Sequence, residues 1–231
     1  MGHQSPVSAD PLIVELNSTY CEAVTTPTPR GAASRALLLR AAAEELTGSG
    51  RVEVAAVARR AGVSVGLPYR YFGSRTGLLI AVVESFYERL AAACVLREYD
   101  DPAWAERESR RVRDWVGFLY AEPLAPMILG GLVGEGEVAA FRTRRLAGIV
   151  ELGARNIAGA QRTGEVPAGG DAELLAAATL AGASAMVAVA LARTPRPPAE
   201  EVAAQVWAFI RGAMNLPGAA SGEDAHRAPD S

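Results

Sequence analysis

Arginine carries most of the binding chemistry available to this chain. All 23 basic residues are arginine, and eight of them lie between Arg30 and Arg75, against three acidic residues in the same window. That window has a net charge of +5 and the whole chain −3, so the rest of the chain carries −8. Guanidinium groups stay charged and bind phosphates bidentately. One cationic end on an acidic chain therefore predicts a nucleic-acid-binding module.

The residue inventory argues against an enzyme. Without lysine there is no P-loop lysine and no Schiff-base nucleophile. Cys21 and Cys94 lack metal-ligand spacing, and His3 and His226 lie near opposite ends of the chain. A zinc centre or a histidine-based catalytic site is not expected. We expect no cofactor and no metal, and we interpret Cys94 as a core residue.

Two short helices must position the arginines. An apolar face at helical spacing ends at Gly62, where a left-handed residue would stop the helix, and Ser64 could then cap a second helix. This pattern predicts a helix-turn-helix whose second helix enters a DNA major groove. The face consists of Val54, Val57, Ala58 and Ala61.

The motif resembles the signature of the TetR family of bacterial transcriptional regulators. It reads Val57-Ala58, then Ala61-Gly-Val-Ser64-x-Gly66-x-x-Tyr69-x-Tyr71-Phe72-x-Ser74-Arg75-x-x-Leu78. The resemblance implies an all-α fold: a three-helix DNA-binding head followed by a helical body of about six helices that binds an effector and dimerises. It also implies a homodimer that recognises a pseudo-palindromic DNA operator and is released by a small-molecule ligand.

Eight residues are candidates for DNA contact. Pro68 and Phe72 should face inward, which leaves Val65 and Leu67 outward, where apolar side chains sense only thymine methyls or shape. Tyr69 and Arg75 match family positions that bind phosphates. Arg70 either reads a guanine or contacts another phosphate, and the sequence leaves both open. The candidates are Arg51, Ser64, Val65, Leu67, Tyr69, Arg70, Tyr71 and Arg75.

Breaks in composition and apolar periodicity divide the chain into four parts. We predict a flexible arm over 1–29, the DNA-binding domain over 30–76, the effector-binding and dimerisation domain over 77–215, and a flexible tail over 216–231. A long helix over about 75–97 should bridge head and body. Gly130–Gly136 lacks nucleotide-loop spacing and is expected to be a connection. The sequence shows no signal peptide, and we expect a cytoplasmic protein.

The last two helices are the predicted dimer interface. Residues 174–192 carry no charge, which is long enough for a membrane span, but most are small, so a buried helix is favoured and no membrane partner is expected. Packing within one chain is the alternative for both helices. The predicted interface residues are Leu174, Ala178, Gly182, Ala185, Val202, Val206, Trp207, Phe209 and Ile210.

The resemblance also places an effector cavity inside the body, where ordinary core packing is the alternative for every candidate. Few polar residues are available there, which favours an apolar or amphipathic compound. The candidate wall residues are Trp104, Trp115, Phe118, Met127, Phe141, Arg145, Thr179 and Met186. The leading hypothesis is a ligand-responsive repressor. The alternative is a helical interaction protein that has lost specific DNA recognition.

Overall fold

The computed structural model describes residues 29–131 and 136–216. Those residues form nine α-helices and no strand, which confirms the all-α prediction. The helices are α1 (Pro29–Ser49), α2 (Val54–Arg60), α3 (Gly66–Phe72), α4 (Arg75–Leu90), α5 (Trp104–Ala121), α6 (Ala125–Leu129), α7 (Gly136–Thr163), α8 (Ala172–Ala192) and α9 (Ala199–Ala213).

Helices α1–α3 form the head, and one hydrophobic core continues from it into the body. Leu38 of α1 and Val57 of α2 are fully buried in the same cluster as Phe86 of α4 and Val206 of α9. A core that is shared across the junction is close-packed and transmits displacements. A displacement of α4 in the body is therefore expected to displace the residues of the head that pack against it.

The bridging helix differs from its predicted form. It was expected to run to about residue 97, but regular α-helix ends at Leu90 and a π-helical turn follows over Ala91–Val95. π-Helical turns are rare in proteins, and those that occur are often found at functional sites. The carbonyl groups of this turn are bound by a side chain from α5, as the cavity geometry below shows.

The body packs around α8, which contacts α7 on one side and α9 on another, while α9 also packs against α5. Ala172–Ala192 is the one helix in the described ranges that is long and apolar enough to cross a membrane, and about 33% of its most apolar window is buried. The core helix of a folded body meets the same criteria.

Several predictions concern residues that the structure leaves undescribed. Residues 1–28 of the predicted arm over 1–29, residues 217–231 of the predicted tail over 216–231, and residues 132–135 of the glycine-rich connection lie outside the described residues. The same holds for Cys21, His3 and His226. The proposed domain boundaries at 76 and 215 remain predictions.

Candidate DNA-binding surface and ligand cavity

The turn between α2 and α3 forms as the sequence predicts. Gly62 has φ +66°, in the left-handed region that glycine adopts without strain. The amide of Val63 donates to the carbonyl oxygen of Ala58 at 3.0 Å, and the amide of Gly62 to that of Arg59 at 3.2 Å. These bonds close the end of α2 and fix the angle at which α3 leaves.

Ser64 does not cap α3, so that prediction was wrong. The residue before the helix is Val65, with helical angles of φ −58° and ψ −27°, and no side chain caps the helix. The amide of Leu67 instead donates to the carbonyl oxygen of Ser64 at 3.0 Å. Capping needs an extended residue before the helix. Here Val65 already has helical angles, and a backbone hydrogen bond to the Ser64 carbonyl oxygen closes the turn instead.

Helix α3 presents a narrow polar and aromatic surface. Val65 is 51% exposed, Tyr69 is 49% exposed, and Arg70 is also exposed. Pro68 is buried as predicted. Leu67 was expected to face outward, but it is half-buried and packs against the core together with Tyr71. Because α3 has only seven residues, its solvent-facing side reduces to the neighbourhood of Val65, Tyr69 and Arg70.

Arg75 is held inside the head. Its Nε donates to the carbonyl oxygen of Val52 at 2.7 Å, and its side chain is half-buried. It therefore ties the start of α4 to the α1–α2 connection, whereas the sequence predicts a phosphate contact. Ser74 caps α4 by accepting from the amide of Gly77 at 2.9 Å.

Three other arginines of the head, in α2 or just before it, are exposed: Arg51, Arg59 and Arg60. Arg51 lies on the surface just before α2, and Arg59 lies on the α2 face away from the core. Arg60 forms ion pairs with Glu45 at 3.0 Å and Glu44 at 3.6 Å, so its charge is partly neutralised within the head. Arg51 is thus better placed than Arg60 for a phosphate contact.

A cavity of about 420 Å³ lies between α4, the π turn and helices α5 to α9. Most of its wall is apolar, and Trp104, Trp115 and Thr179 of the predicted set line it. The complete lining is Phe86, Tyr87, Leu90, Cys94, Val95, Leu96, Trp104, Glu108, Arg111, Val112, Trp115, Leu119, Ile128, Leu129, Leu146, Ile149, Leu152, Gly153, Asn156, Ile157, Ala176, Thr179, Leu180, Ala183, Ser184, Ile210 and Met214.

Five predicted wall residues do not line this cavity. Phe118 packs edge-on against Phe86, with 5.6 Å between ring centroids, and Phe141 is buried in the core. Met127 and Met186 pack on the outside of the same core. Arg145 lies near Glu84 of α4 and is not in the lining. Apolar character alone does not show which side of a core an aromatic or methionine faces.

Sequence reasoning missed the polar end of the cavity wall. Arg111 Nε donates to the Glu108 carboxylate oxygens at 3.2 and 3.1 Å. Arg111 Nη1 donates to the carbonyl oxygens of Cys94 and Val95 in the π turn, at 2.6 and 3.1 Å. Opposite charges three residues apart on α5 were visible in the sequence as an i,i+3 pair. That this pair faces the π turn was not visible.

The same polar cluster extends to two aromatic residues. The indole Nε1 of Trp104 donates to Asn156 Oδ1 at 3.1 Å, and Asn156 Nδ2 donates to Glu108 at 2.9 Å. The Arg111 guanidinium lies 4.7 Å from the centre of the Tyr99 ring, whose hydroxyl donates to Asp114. Burial and that hydrogen bond raise the pKa of Tyr99 well above its usual value, so Tyr99 stays neutral.

Cys94 is a structural residue, as predicted. Its thiol is buried and donates to the carbonyl oxygen of Leu90 at 3.2 Å. Burial raises the pKa of the Cys94 thiol to about 12. Because the thiolate is the reactive form of cysteine, this burial and raised pKa disfavour reaction of Cys94 at neutral pH.

Helices α8 and α9 share an exposed apolar face. Leu174 is 70% exposed, Val189 56% and Phe209 38%. Exposed Ala178 and Ala185 lie between Leu174 and Val189 on the same side of α8. Isolated apolar residues are common on surfaces, but a continuous face along two helices is typical of an interaction site.

Part of the predicted dimer interface belongs instead to the core of the chain. Val202 and Val206 are buried within it, and Ile210 lines the cavity. Trp207 is half-buried and packs against the core. At Gly182 a Cβ atom would lie 2.5 Å from the ring of Phe209, so this glycine lets α8 and α9 of one chain approach.

Comparison with known proteins identifies the head. The family model described as bacterial regulatory proteins, tetR family, matches residues 38–82, which span most of α1 and all of α2 and α3. This match confirms the resemblance predicted from the motif. No curated protein sequence matches the chain.

Solved structures share the fold. A protein described as a TetR-family transcriptional regulator from Syntrophomonas wolfei has a TM-score of 0.67 and 15% identity, covering 79% of this chain and 95% of that one. One from Rhodococcus sp. has a TM-score of 0.66 and 24% identity, covering 79% and 99%. FadR from Bacillus subtilis, solved in complex with stearoyl-CoA, has a TM-score of 0.61 and 18% identity, covering 76% and 96%.

Proposed function

We propose that this TetR-family transcriptional regulator acts as a homodimeric repressor that a small molecule, bound in the body cavity, releases from its operator. The observation that carries the proposal is the exposed face of α3, with Tyr69 and Arg70, on the arginine-rich end of an acidic chain. We propose a cytoplasmic, non-enzymatic protein whose partners are double-stranded DNA and an effector.

Backbone contacts would come from residues around α3. Arg51 precedes α2 and is exposed, and Tyr69 presents its hydroxyl from the solvent side of α3. Such contacts set the register on the duplex without selecting a sequence. Arg70 is the proposed base reader, because a guanidinium can bind guanine O6 and N7 bidentately. Ser64 and Val65 would face the same groove, while Leu67 and Tyr71 pack α3 against the core and Arg75 ties α4 to the α1–α2 connection.

A head with one seven-residue recognition helix has little surface for a tight site, so dimerisation is part of the proposal. Two heads about 34–36 Å apart would read the half-sites of a pseudo-palindrome. The exposed face of Leu174, Ala178, Ala185, Val189 and Phe209 supports a two-fold contact through α8 and α9. In such a contact the same patch on each chain meets its copy.

Ligand response is supported by where the cavity lies. Its wall includes Phe86 and Leu90 of α4, the helix that begins at the head, and Cys94 of the π turn that follows it. Cavities of this size hold drug-sized molecules. A ligand that fits only one position of α4 shifts the spacing of two heads, and such couplings are typically about 1–3 kcal/mol. FadR from Bacillus subtilis, with stearoyl-CoA bound, shows that a protein of this fold binds a small molecule.

Selection from a random duplex library tests the proposal. We expect enrichment of an inverted repeat, and loss of binding when one half-site is scrambled. The exposed Val65 favours the alternative, a helical interaction protein, because an apolar side chain contributes little base reading. If no duplex is enriched at modest salt, while a protein partner binds the head, the alternative is correct.

A further inference from the structure

The charged groups of the cavity wall neutralise each other. Among the described residues that line the cavity, only Glu108 and Arg111 carry a charge at neutral pH. They are hydrogen-bonded to each other, with Arg111 Nε at 3.1 Å from the nearer Glu108 oxygen. Arg111 is further engaged by the carbonyl oxygens of the π turn. The wall therefore offers no uncompensated charge to a ligand.

Most polar groups of the wall are already committed within the protein. Asn156 uses its oxygen for the Trp104 indole and its nitrogen for Glu108. The Thr179 hydroxyl donates to the carbonyl oxygen of Leu175 at 2.7 Å, inside its own helix. The Cys94 thiol donates in the same way to Leu90. Because these polar groups are hydrogen-bonded within the protein, they need no water or ligand as a partner. The cavity therefore remains apolar in character.

Two hydroxyl groups of the wall, on Tyr87 and Ser184, are the exceptions. Ser184 lies on α8, is half-buried and lines the cavity. Its hydroxyl makes no hydrogen bond to any residue that the structure describes, including the carbonyl one turn earlier that helical serines often use. A hydroxyl can donate one hydrogen bond and accept two. Ser184 is thus one of two hydroxyl groups of the wall, with Tyr87, that remain available to a bound molecule.

We propose that the cavity takes a neutral, predominantly apolar molecule with one hydroxyl or carbonyl group, which hydrogen-bonds to Ser184. The inference rests on the proposed function, since it takes this cavity as the effector site. A carboxylate, phosphate or ammonium group inside the cavity would lose its hydration without gaining a counter-charge, which is costly. An apolar tail gains free energy in proportion to the area it buries against this wall.

Four probes with an eight-carbon chain, counting the carboxylate carbon of octanoate, test the charge requirement and the hydrogen bond: 1-octanol, octanoate at pH 8, octyltrimethylammonium and 1-chlorooctane. Binding is followed by the fluorescence of Trp104 and Trp115, which line the cavity, and by calorimetry. We expect 1-octanol to bind at least tenfold more tightly than either ion. Octanoate or octyltrimethylammonium binding as tightly as 1-octanol would overturn the inference.

Substitution of Ser184 tests the polar anchor. In Ser184→Ala we expect the affinity for 1-octanol to fall about threefold to tenfold, the size of one net hydrogen bond, with no loss for 1-chlorooctane. Ser184→Thr keeps the hydroxyl and is the matched control, which should retain preference for the alcohol. Equal losses for both probes, or no loss for 1-octanol, would show that Ser184 is not the anchor.

The same protein preparation separates the two proposals. If it binds its selected operator but prefers octanoate, the ligand class is wrong and the regulator stands. If it binds 1-octanol with the expected preference but enriches no duplex, the proposed function is wrong and the ligand class stands. If 1-octanol releases the protein from its operator, and does so less effectively for Ser184→Ala, both proposals are supported.

Discussion

Arg111 of α5 closes the end of the bridging helix by donating from Nη1 to the carbonyl oxygen of Cys94 at 2.6 Å. The same guanidinium is paired with Glu108, which lines the ligand cavity beside it. A ligand that displaces α5 therefore also displaces the π turn. Because α4 runs from the head to that turn, this contact would couple the cavity to the proposed DNA-binding surface.

Loss of Arg111 should reduce the stability of the protein. Arg111→Ala leaves half-buried carbonyl groups without a donor, and we expect the free energy of unfolding to fall by about 1–3 kcal/mol. Arg110→Ala is a matched control, because Arg110 makes an exposed ion pair with Asp101 worth less than about 1 kcal/mol. Urea unfolding of both variants measures the difference. Equal losses would mean that the bonds to the π turn contribute nothing.

The start of α5 is held by a side chain 61 residues further along the chain. Glu165 Oε1 accepts from the amide of Trp104 at 2.8 Å, while Glu165 Oε2 accepts from the Thr163 hydroxyl at 3.0 Å. The bond to the Trp104 amide is the main cause that lowers the pKa of Glu165. A lowered folded-state pKa means that the carboxylate form is favoured by folding.

The stability due to Glu165 should consequently depend on pH. It is present above the unfolded-state pKa of a glutamate and is lost as the pH falls through the lower folded-state pKa. We expect Glu165→Gln to be less stable than the parent protein at pH 7, with the difference vanishing in acid. Thermal unfolding between pH 7 and pH 3 measures this. A difference that is constant or grows in acid would contradict the role of the carboxylate.

Arg70 should determine sequence preference. We expect Arg70→Ala to weaken operator binding by about 1–3 kcal/mol and to relax selection at one base pair. Arg59→Ala is the control, since Arg59 is exposed on α2 and is not proposed to read bases. Anisotropy titrations with operator and random DNA separate the outcomes. Equal loss on both DNAs would assign Arg70 to a phosphate.

The face on α8 should control assembly. Val189→Glu places a charge on the exposed apolar face, and burying it against a second chain is costly, so we expect dissociation at micromolar concentration. Ala140→Glu, exposed on α7, is the control and should leave assembly unchanged. Sedimentation measures both. A parent protein that is already monomeric, or a Val189→Glu dimer, would rule out this interface.

Local signals in the sequence predicted the head well. Gly62 follows the end of α2 in the left-handed conformation that the sequence predicts. The prediction that Ser64 caps α3 was wrong because a serine before a helix is compatible with both a capped and an uncapped helix start. The choice depends on the angles of Val65, which the packing of the turn sets.

The body was predicted less well because the sequence of its helices does not show which face of each helix points to the core. Helix α8 is apolar on all sides, so periodicity cannot tell which face is inside. Helix α9 has a clear apolar stripe, but Val202 and Val206 on it fill the core of the chain rather than face a partner. On α5, Trp115 lines the cavity whereas Phe118, one turn later, packs on Phe86. Only the packed arrangement distinguishes such positions.

The central claim is that two copies of the arginine-rich head hold one specific duplex. Binding of the selected operator and of a scrambled duplex of equal length should be titrated at the same salt concentration, with the number of chains per duplex measured by sedimentation. The account predicts two chains per operator and a preference of about 1,000-fold or more over the scrambled duplex. Equal affinity for both duplexes would contradict it.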